Sequence, residues 1–317
     1  MIAAVILALY TVAAVAWLPR LLSRGTWAER APRLAISVWL AACVSGVASV
    51  VFAAFAAAVP ASVVGHGLAA FFEACAALLS NGEILAFPGA YAALLGAAAI
   101  AARTTYYGAA VLVRASRERR HHADMLTILG RHDGELGAVV LEHDEAAAYC
   151  LPGRQGRAVI TTAALRSLAP EQVAAVLAHE QAHLRGRHHL VLAAAEAFSL
   201  AFPRLPLFAR AKTEVARLVE LLADDVAALH HPRIHLAAAL VRLATGRTPA
   251  FMLGAGGETA LTRVKRMLHP AAPLGRRERL AGLAAVALLL AGPVAVAAVP
   301  GVSSLLAHHC HTLSIFQ

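Results

Sequence analysis

Lysine is nearly absent from this chain. It occurs only at Lys212 and Lys265, so arginine carries almost all of the positive charge. Charged residues of both signs make up only 15% of the sequence, too few to solvate the surface of an ordinary globular protein. Aromatic residues make up 6% and never interleave with basic residues along one face, which argues against direct nucleic-acid binding despite a formal net charge of +9. The four cysteines, Cys43, Cys75, Cys150 and Cys310, are too scattered for a zinc ribbon or a disulfide scaffold. No basic residue precedes the first apolar run. Its positive charges follow it instead, which suits an uncleaved membrane span better than a removable signal peptide, although Ala14-Val15-Ala16 resembles a cleavage site.

What the chain has in abundance is apolar sequence, 59% of residues, gathered into blocks. Four runs lack any charge: Ile2 to Leu18, Leu34 to Val59, Ile84 to Ala102 and Ala281 to Ala307. Each approaches or exceeds the roughly 17 to 25 residues that a bilayer-spanning helix needs. Arg20, Arg24, Arg30 and Arg33 fill the first connection, Arg114, Arg117, Arg119 and Arg120 follow the third run, and Arg276, Arg277 and Arg279 precede the fourth. Pro60 to Glu83 and Gly301 to Gln317 contain neither Lys nor Arg. The positive-inside rule therefore predicts a multi-pass protein of the cell membrane, with both termini and the second connection outside and residues 114–279 cytoplasmic. Three parts follow: a three-span membrane region over 1–113, a cytoplasmic domain over 114–279, and a fourth span with a short outer tail over 280–317. Ala61 to Ser80 reads as an outward-facing interfacial or re-entrant helix, because a fifth span would leave one basic connection outside. Cys75 and Cys310 would then both face outward, where they form either a bridge or two separate thiols.

Within the cytoplasmic part, Gly137 to Glu142, Ala147 to Leu151 and Ala158 to Thr162 read as strands, with a turn over Pro152 to Gly156. Pro170 suits the first turn of a helix running to about Leu184, with Gly186 as its stop. Ala169 is a poor N-cap, so Ser167 or the Pro170 ring must set the start. His189 to Phe202 reads as a buried or membrane-contacting helix, followed by helices over about Lys212 to Leu229 and Leu236 to Ala244.

The chemistry is concentrated in Leu177-Ala178-His179-Glu180-Gln181-Ala182-His183 and, 37 residues after His183, Glu220-Leu221-Leu222-Ala223-Asp224. Residues four apart on a helix project from one face, so His179 and His183 can reach one ion. Glu180 lies about 100° around from His179, where it can hold a water beside the metal instead of binding the metal. Glu220 can supply a third ligand and Asp224 can accept from a ligating imidazole, fixing its tautomer. Three protein ligands leave a fourth position open, as a catalytic zinc site requires, with one Zn2+ per chain. Glu196 is the rival third ligand, but it has no acidic partner four residues on. The pairs His121-His122, His188-His189 and His230-His231 read as surface or packing residues, and His308-His309-Cys310-His311 as either a solvated terminus or an outer metal site.

This arrangement resembles the integral-membrane zinc peptidases of the BlaR/MecR family, the antirepressors of β-lactam resistance. The likeness rests on the four-span layout, on Leu151-Pro152-Gly153-Arg154 and Val159-Ile160-Thr161-Thr162, on the run from Ala174 through the HExxH motif to His188, and on Glu220 to Asp224. It implies a mainly α membrane protein whose four transmembrane helices carry a cytoplasmic α+β zincin-like (gluzincin) domain with a small sheet. It also implies zinc ligands His179, His183 and Glu220, the catalytic carboxylate Glu180, and Asp224 behind the ligands. The family's sensor members carry a penicillin-binding domain after the last span. This chain ends at Gln317, so β-lactam sensing by acylation is not expected.

The expected partners are the lipid bilayer and a cytosolic protein substrate, a BlaI/MecI-like winged-helix repressor, and oligomer formation is compatible with this reading. Quality control of membrane proteins by an HtpX-type peptidase and a zinc-stabilised, non-enzymatic signalling scaffold are the alternatives. Four groups are candidates for stabilising the oxyanion: His230, His231, Arg233 and Arg263. Ala158 to Thr162 is expected to be the sheet edge that pairs with an extended substrate.

Overall fold

The structure is a computed structural model that describes residues 2–58, 88–153, 156–245 and 255–313. The expected helix over Ala61 to Ser80 and Cys75 lie outside the described residues, and the side chains of His308, His309, Cys310 and His311 are likewise outside them. The chain opens with α1 (Ile2–Ala16), two short helices α2 (Leu18–Leu22) and α3 (Trp27–Arg30), and the long α4 (Pro32–Ala58). Helix α5 (Pro88–Leu129) runs unbroken from the third apolar run through the basic stretch at Arg114 to His122. Four strands follow: β1 (Gly130–Asp133), β2 (Ala138–Leu141), β3 (Ala148–Leu151) and β4 (Arg157–Thr161). Then come α6 (Thr162–Ser167), α7 (Pro170–Arg185), α8 (His188–Ala201), α9 (Pro206–Ala227), α10 (Arg233–Thr245), α11 (Ala255–Leu268) and α12 (Arg276–Leu313).

Among the described residues, Pro32–Ala58 and Arg276–Ala298 are the helices long and apolar enough to cross a membrane. Leu280, Leu283, Leu288, Leu290 and Val294 of α12 are exposed, an apolar surface that a bilayer would cover and water would not. α1, at 15 residues, is shorter than a full span. The expected third span begins at residues 84–87, which are outside the described part. The backbone of the fourth apolar run stays helical through the expected outer tail as far as Leu313.

The sheet has the order β1-β2-β4-β3, with β2 and β4 parallel and the outer pairs antiparallel. This corrects the expected substrate edge. β4 lies inside the sheet between β2 and β3, so its backbone groups are already paired, and β3 is the free edge beside it. The physical cause is visible in β4 itself. Val159 packs with Leu126 and Val139 on one face, while Ala158 and Ile160 join the core beneath α7 on the other. A strand buried on both faces reads as a continuous apolar run and belongs in the middle of a sheet.

β1 has no apolar alternation, which is why the sequence gives no sign of it. It starts where α5 ends, at Gly130. A Cβ there would sit 2.5 Å from Val139 Cγ1 and 2.6 Å from Leu126 O, so glycine lets the helix end and the strand start against β2.

Two cores position the site. One lies between the sheet, α7 and α10, around Ile160, Val176, Leu177, Leu236 and Ala239. The other joins α9 to α4, with Leu207, Phe208, Ala211, Val215 and Leu218 packed around Trp39 and Cys43. α9 begins at Pro206, earlier than the expected Lys212, because Leu207 and Phe208 continue its buried face.

Candidate metal centre

Helix α7 starts at Pro170, with the Ala169 N–H donating to Gln172 Oε1 at 3.1 Å in place of a side-chain N-cap. It ends at Arg185 with Gly186 as C-cap. One helical turn separates His179 from His183, and their Nε2 atoms face each other at 3.1 Å. Helix α9 brings Glu220 to the same point, with Oε2 3.5 Å from His179 Nε2 and Oε1 3.5 Å from His183 Nε2. These three residues form a group whose ligand atoms lie within 4.8 Å of one another and could hold a metal ion. Glu196 is elsewhere, paired with Lys212 at 2.6 Å.

Behind the trio, Asp224 is 1% exposed and places Oδ1 2.9 Å from His179 Nδ1. At that distance the buried carboxylate is the charge partner of the His179 ring. Arg263 of α11 completes the cluster. Its Nη2 and Nε donate to Asp224 Oδ1 at 2.7 Å and Oδ2 at 2.8 Å, and its Nη1 lies 2.9 Å from Glu220 Oε2. Of the four groups named for the oxyanion, only Arg263 reaches the site. Arg233 pairs with Asp225 at 3.3 Å, and His230 and His231 lie in the turn after α9.

The electrostatics follow from this crowding. Burial works to lower the His179 pKa, but the Asp224 and Glu220 carboxylates outweigh it and raise the pKa to about 9. Burial opposes ionisation of Glu220 and Asp224 as well, yet His179 and Arg263 hold both pKa values down to about 2. At His183 burial outweighs the nearby Glu220 carboxylate and, with the positive charge of His179 and Arg263 acting the same way, pulls the pKa down to about 4. Burial raises Glu180 above the usual carboxylate range.

Two neighbours were not legible as site residues. Cys150 of β3 hydrogen-bonds through its thiol to the Glu180 carboxylate, and burial together with that charge pushes the thiol to about 12. The signal was the period of two in β3. Tyr149 and Leu151 join the α5 side of the sheet, leaving Ala148 and Cys150 to face α7. The second is His188. Expected at the surface or in ordinary packing, it is buried against His183, with Nδ1 atoms 3.1 Å apart.

Residues 113–205 match Peptidase family M48. The match takes in His179, Glu180, His183 and His188 and stops before α9, so Glu220, Asp224 and Arg263 stand on geometry alone. It supports a zinc metallopeptidase family of the membrane type, and with the two apolar helices it points to a membrane protein. No curated protein and no solved structure matches the chain.

Proposed function

We propose that the chain is a membrane-embedded zinc endopeptidase in which His179, His183 and Glu220 hold one Zn2+, Glu180 is the catalytic carboxylate and Asp224 braces the ligands. The observation that carries this is the donor triangle itself. Ligand atoms about 2.0 to 2.1 Å from one zinc at tetrahedral angles are about 3.3 Å apart. The two Nε2 atoms are 3.1 Å apart, close to that value, and Glu220 turns its carboxylate to the pair with Oε2 3.5 Å from His179 Nε2 and Oε1 3.5 Å from His183 Nε2, so that one donor atom from each residue lies within 4.8 Å of the others. Bound zinc would supply Lewis acidity to a water and to the scissile carbonyl.

The chain's own residues would do the rest. Glu180 accepts the water proton and passes it to the leaving amine, a task favoured by burial, which raises its pKa above that of a free carboxylate. Arg263 keeps Glu220 and Asp224 ionised and aimed. An extended substrate would pair with the free edge of β3, which lies against α7 and offers unpaired backbone groups.

The substrate best supported by the sequence likeness is a cytosolic protein, a BlaI/MecI-like winged-helix repressor cut in regulatory proteolysis, with residues 114–279 cytoplasmic and both termini outside. The HtpX-type quality-control reading stays beside it because the family match is to M48 and does not single out the BlaR/MecR type. A non-enzymatic scaffold would have no use for a partly buried carboxylate placed beside the metal trio. The test is to incubate the purified wild type and Glu180→Gln with a co-encoded repressor and with a misfolded membrane protein. Glu180→Gln should keep its zinc and cut neither, since the carboxylate works on water and not on the ion. An active Glu180→Gln refutes the mechanism, and cleavage of the membrane protein alone replaces the repressor reading with quality control.

A further inference from the structure

The two histidines of the motif do not have the same support. The outer nitrogen of His179 faces a carboxylate, Asp224. The outer nitrogen of His183 faces another imidazole. His183 directs Nε2 toward His179 and Glu220, which leaves Nδ1 pointing away, and that Nδ1 lies 3.1 Å from His188 Nδ1. The two rings meet nearly edge to face at 83° with centroids 4.9 Å apart. His188 is 4% exposed, so water does not serve as an alternative partner for this contact.

A neutral imidazole has one donor nitrogen and one acceptor nitrogen. For His183 to offer the Nε2 lone pair to a metal, its proton must sit on Nδ1, and that N–H needs an acceptor. His188 can be that acceptor only with its own proton on Nε2, since a proton on its Nδ1 would set two N–H groups against each other.

The chain between the two histidines is built to bring this about. Gly186 has φ −74°, a right-handed value that any residue adopts, so the backbone does not require glycine there. The space does. A Cβ at Gly186 would lie 2.3 Å from His188 Nε2 and 2.6 Å from its Cδ2. Arg187 follows at φ 49°, the one positive φ outside glycine among the described residues. That left-handed conformation, unfavourable for a residue with a Cβ, turns the chain so that His188 swings back over α7. Two consecutive local departures, a glycine without a backbone reason and a strained arginine, thus serve the position of one ring.

We propose that His188 is the positioning residue of His183, accepting the His183 Nδ1–H so that Nε2 faces the metal. The inference rests on the zinc-peptidase reading and adds a third element to it, since the ligands would be braced by a carboxylate on one side and a neutral imidazole on the other. Removing such a partner typically weakens metal binding 10 to 100-fold.

The test uses the full chain purified in detergent, with zinc affinity measured by chelator competition and the visible absorption of the cobalt-substituted protein as a signature of ligand geometry. His188→Phe, which keeps a ring but no acceptor, should weaken zinc about 10 to 100-fold and shift the cobalt bands. His188→Asn places Oδ1 where the imidazole Nδ1 was and should restore affinity to within about threefold of wild type, since it restores the acceptor. Gly186→Ala, which leaves every imidazole in place but removes the room for the His188 ring, should weaken zinc in the same direction as His188→Phe. Wild-type affinity and an unchanged cobalt spectrum in His188→Phe overturn the proposal. So does equal loss in His188→Phe and His188→Asn, which is the result of a packing role alone. A wild-type protein that binds no zinc removes the underlying metal reading, and it is told apart because the failure is already present before any substitution.

Discussion

Arg263 is the residue on which the metal-free site depends most, and replacing it by leucine gives the sharpest test of the electrostatics. The guanidinium makes two short contacts with Asp224, at 2.7 and 2.8 Å, and one with Glu220 at 2.9 Å. Asp224 is 1% exposed and the Arg263 side chain 13%, so solvent does little to screen the Asp224 contacts, while Glu220, 38% exposed, contributes less. Breaking a buried ion pair by removing one partner costs about 3 to 5 kcal/mol, because the surviving charge is left uncompensated. His179 remains beside Asp224 and offsets part of this, which places the expected loss near the lower end, about 3 kcal/mol. With an unfolding entropy of roughly 2.1 cal/mol/K per residue, each kcal/mol shifts the Tm of a 317-residue chain by about 1.5 °C, so Arg263→Leu should lower the Tm of the zinc-stripped protein by about 4 to 5 °C.

Arg263→Lys should lose about half as much, since one ammonium cannot span both carboxylates in the forked geometry. The decisive variant is the double one. Asp224→Asn added to Arg263→Leu removes the orphaned charge, so the two substitutions should be non-additive by about 2 kcal/mol, as is usual for residues in direct contact. Thermal unfolding followed by the fluorescence of Trp17, Trp27 and Trp39 reads all of these. A Tm within about 1 °C of wild type for Arg263→Leu, below the shift that 1 kcal/mol produces, would refute the argument. Strict additivity with Asp224→Asn would refute it as well.

Three further outcomes are expected. Asp224→Ala should weaken zinc by roughly 10 to 100-fold in a chelator competition, while a substitution at Glu196, tied to Lys212 elsewhere, should leave zinc affinity unchanged. Zinc binding should release a proton near neutral pH. The folded pKa of His179 is raised to about 9, so the metal-free ring is protonated there, and affinity should rise about tenfold per pH unit until it levels above about 9. Calorimetry in buffers of different ionisation enthalpy counts that proton, and a pH-independent affinity between 7 and 9 contradicts it. By the same sign, the contribution of His179 to the stability of the metal-free fold is complete below its ordinary pKa of 6.5 and fades as pH rises through about 9. On a cysteine-free background, cysteines placed at Ser80 and Gln317 should react with an impermeant reagent on intact cells, and labelling at Arg187 would overturn the proposed topology.

The parts of the site that the sequence discloses are those encoded locally. His179 and His183 share a face because they are four apart, and Glu220 with Asp224 repeats that spacing on a second helix, so each pair announces its own geometry. Arg263 has no local signature. It reaches Asp224 because α11 packs beside α9, 39 residues further along the chain, and only tertiary structure brings that about. The β4 edge was misassigned although a usable signal was present, since Ala158-Val159-Ile160 is a continuous apolar run and not an alternating one. For His188, the warning lay in Gly186. A helix-stop glycine ordinarily occupies a left-handed position, and here the left-handed position falls on Arg187, one residue later.

Helix α9 shows why the membrane part and the metal centre are best considered together. One of its faces carries Glu220 and Asp224, and Leu207, Phe208, Ala211, Val215 and Leu218 pack against α4. Helix α11 strengthens the same tie, because Arg266 donates to Asp225 Oδ2 at 2.6 Å and to the Glu29 backbone oxygen at 2.7 Å, one turn away from Arg263. Arg217 of α9 adds a contact to Glu29 Oε1 at 2.9 Å. A displacement of α3 and α4 relative to α7 would therefore have to be absorbed by α9 and α11, the two helices that hold the third donor and its counter-ion. Between them α9 and α11 thus touch both α3 and α4, the latter long and apolar enough to cross a membrane, and the residues gathered around Glu220.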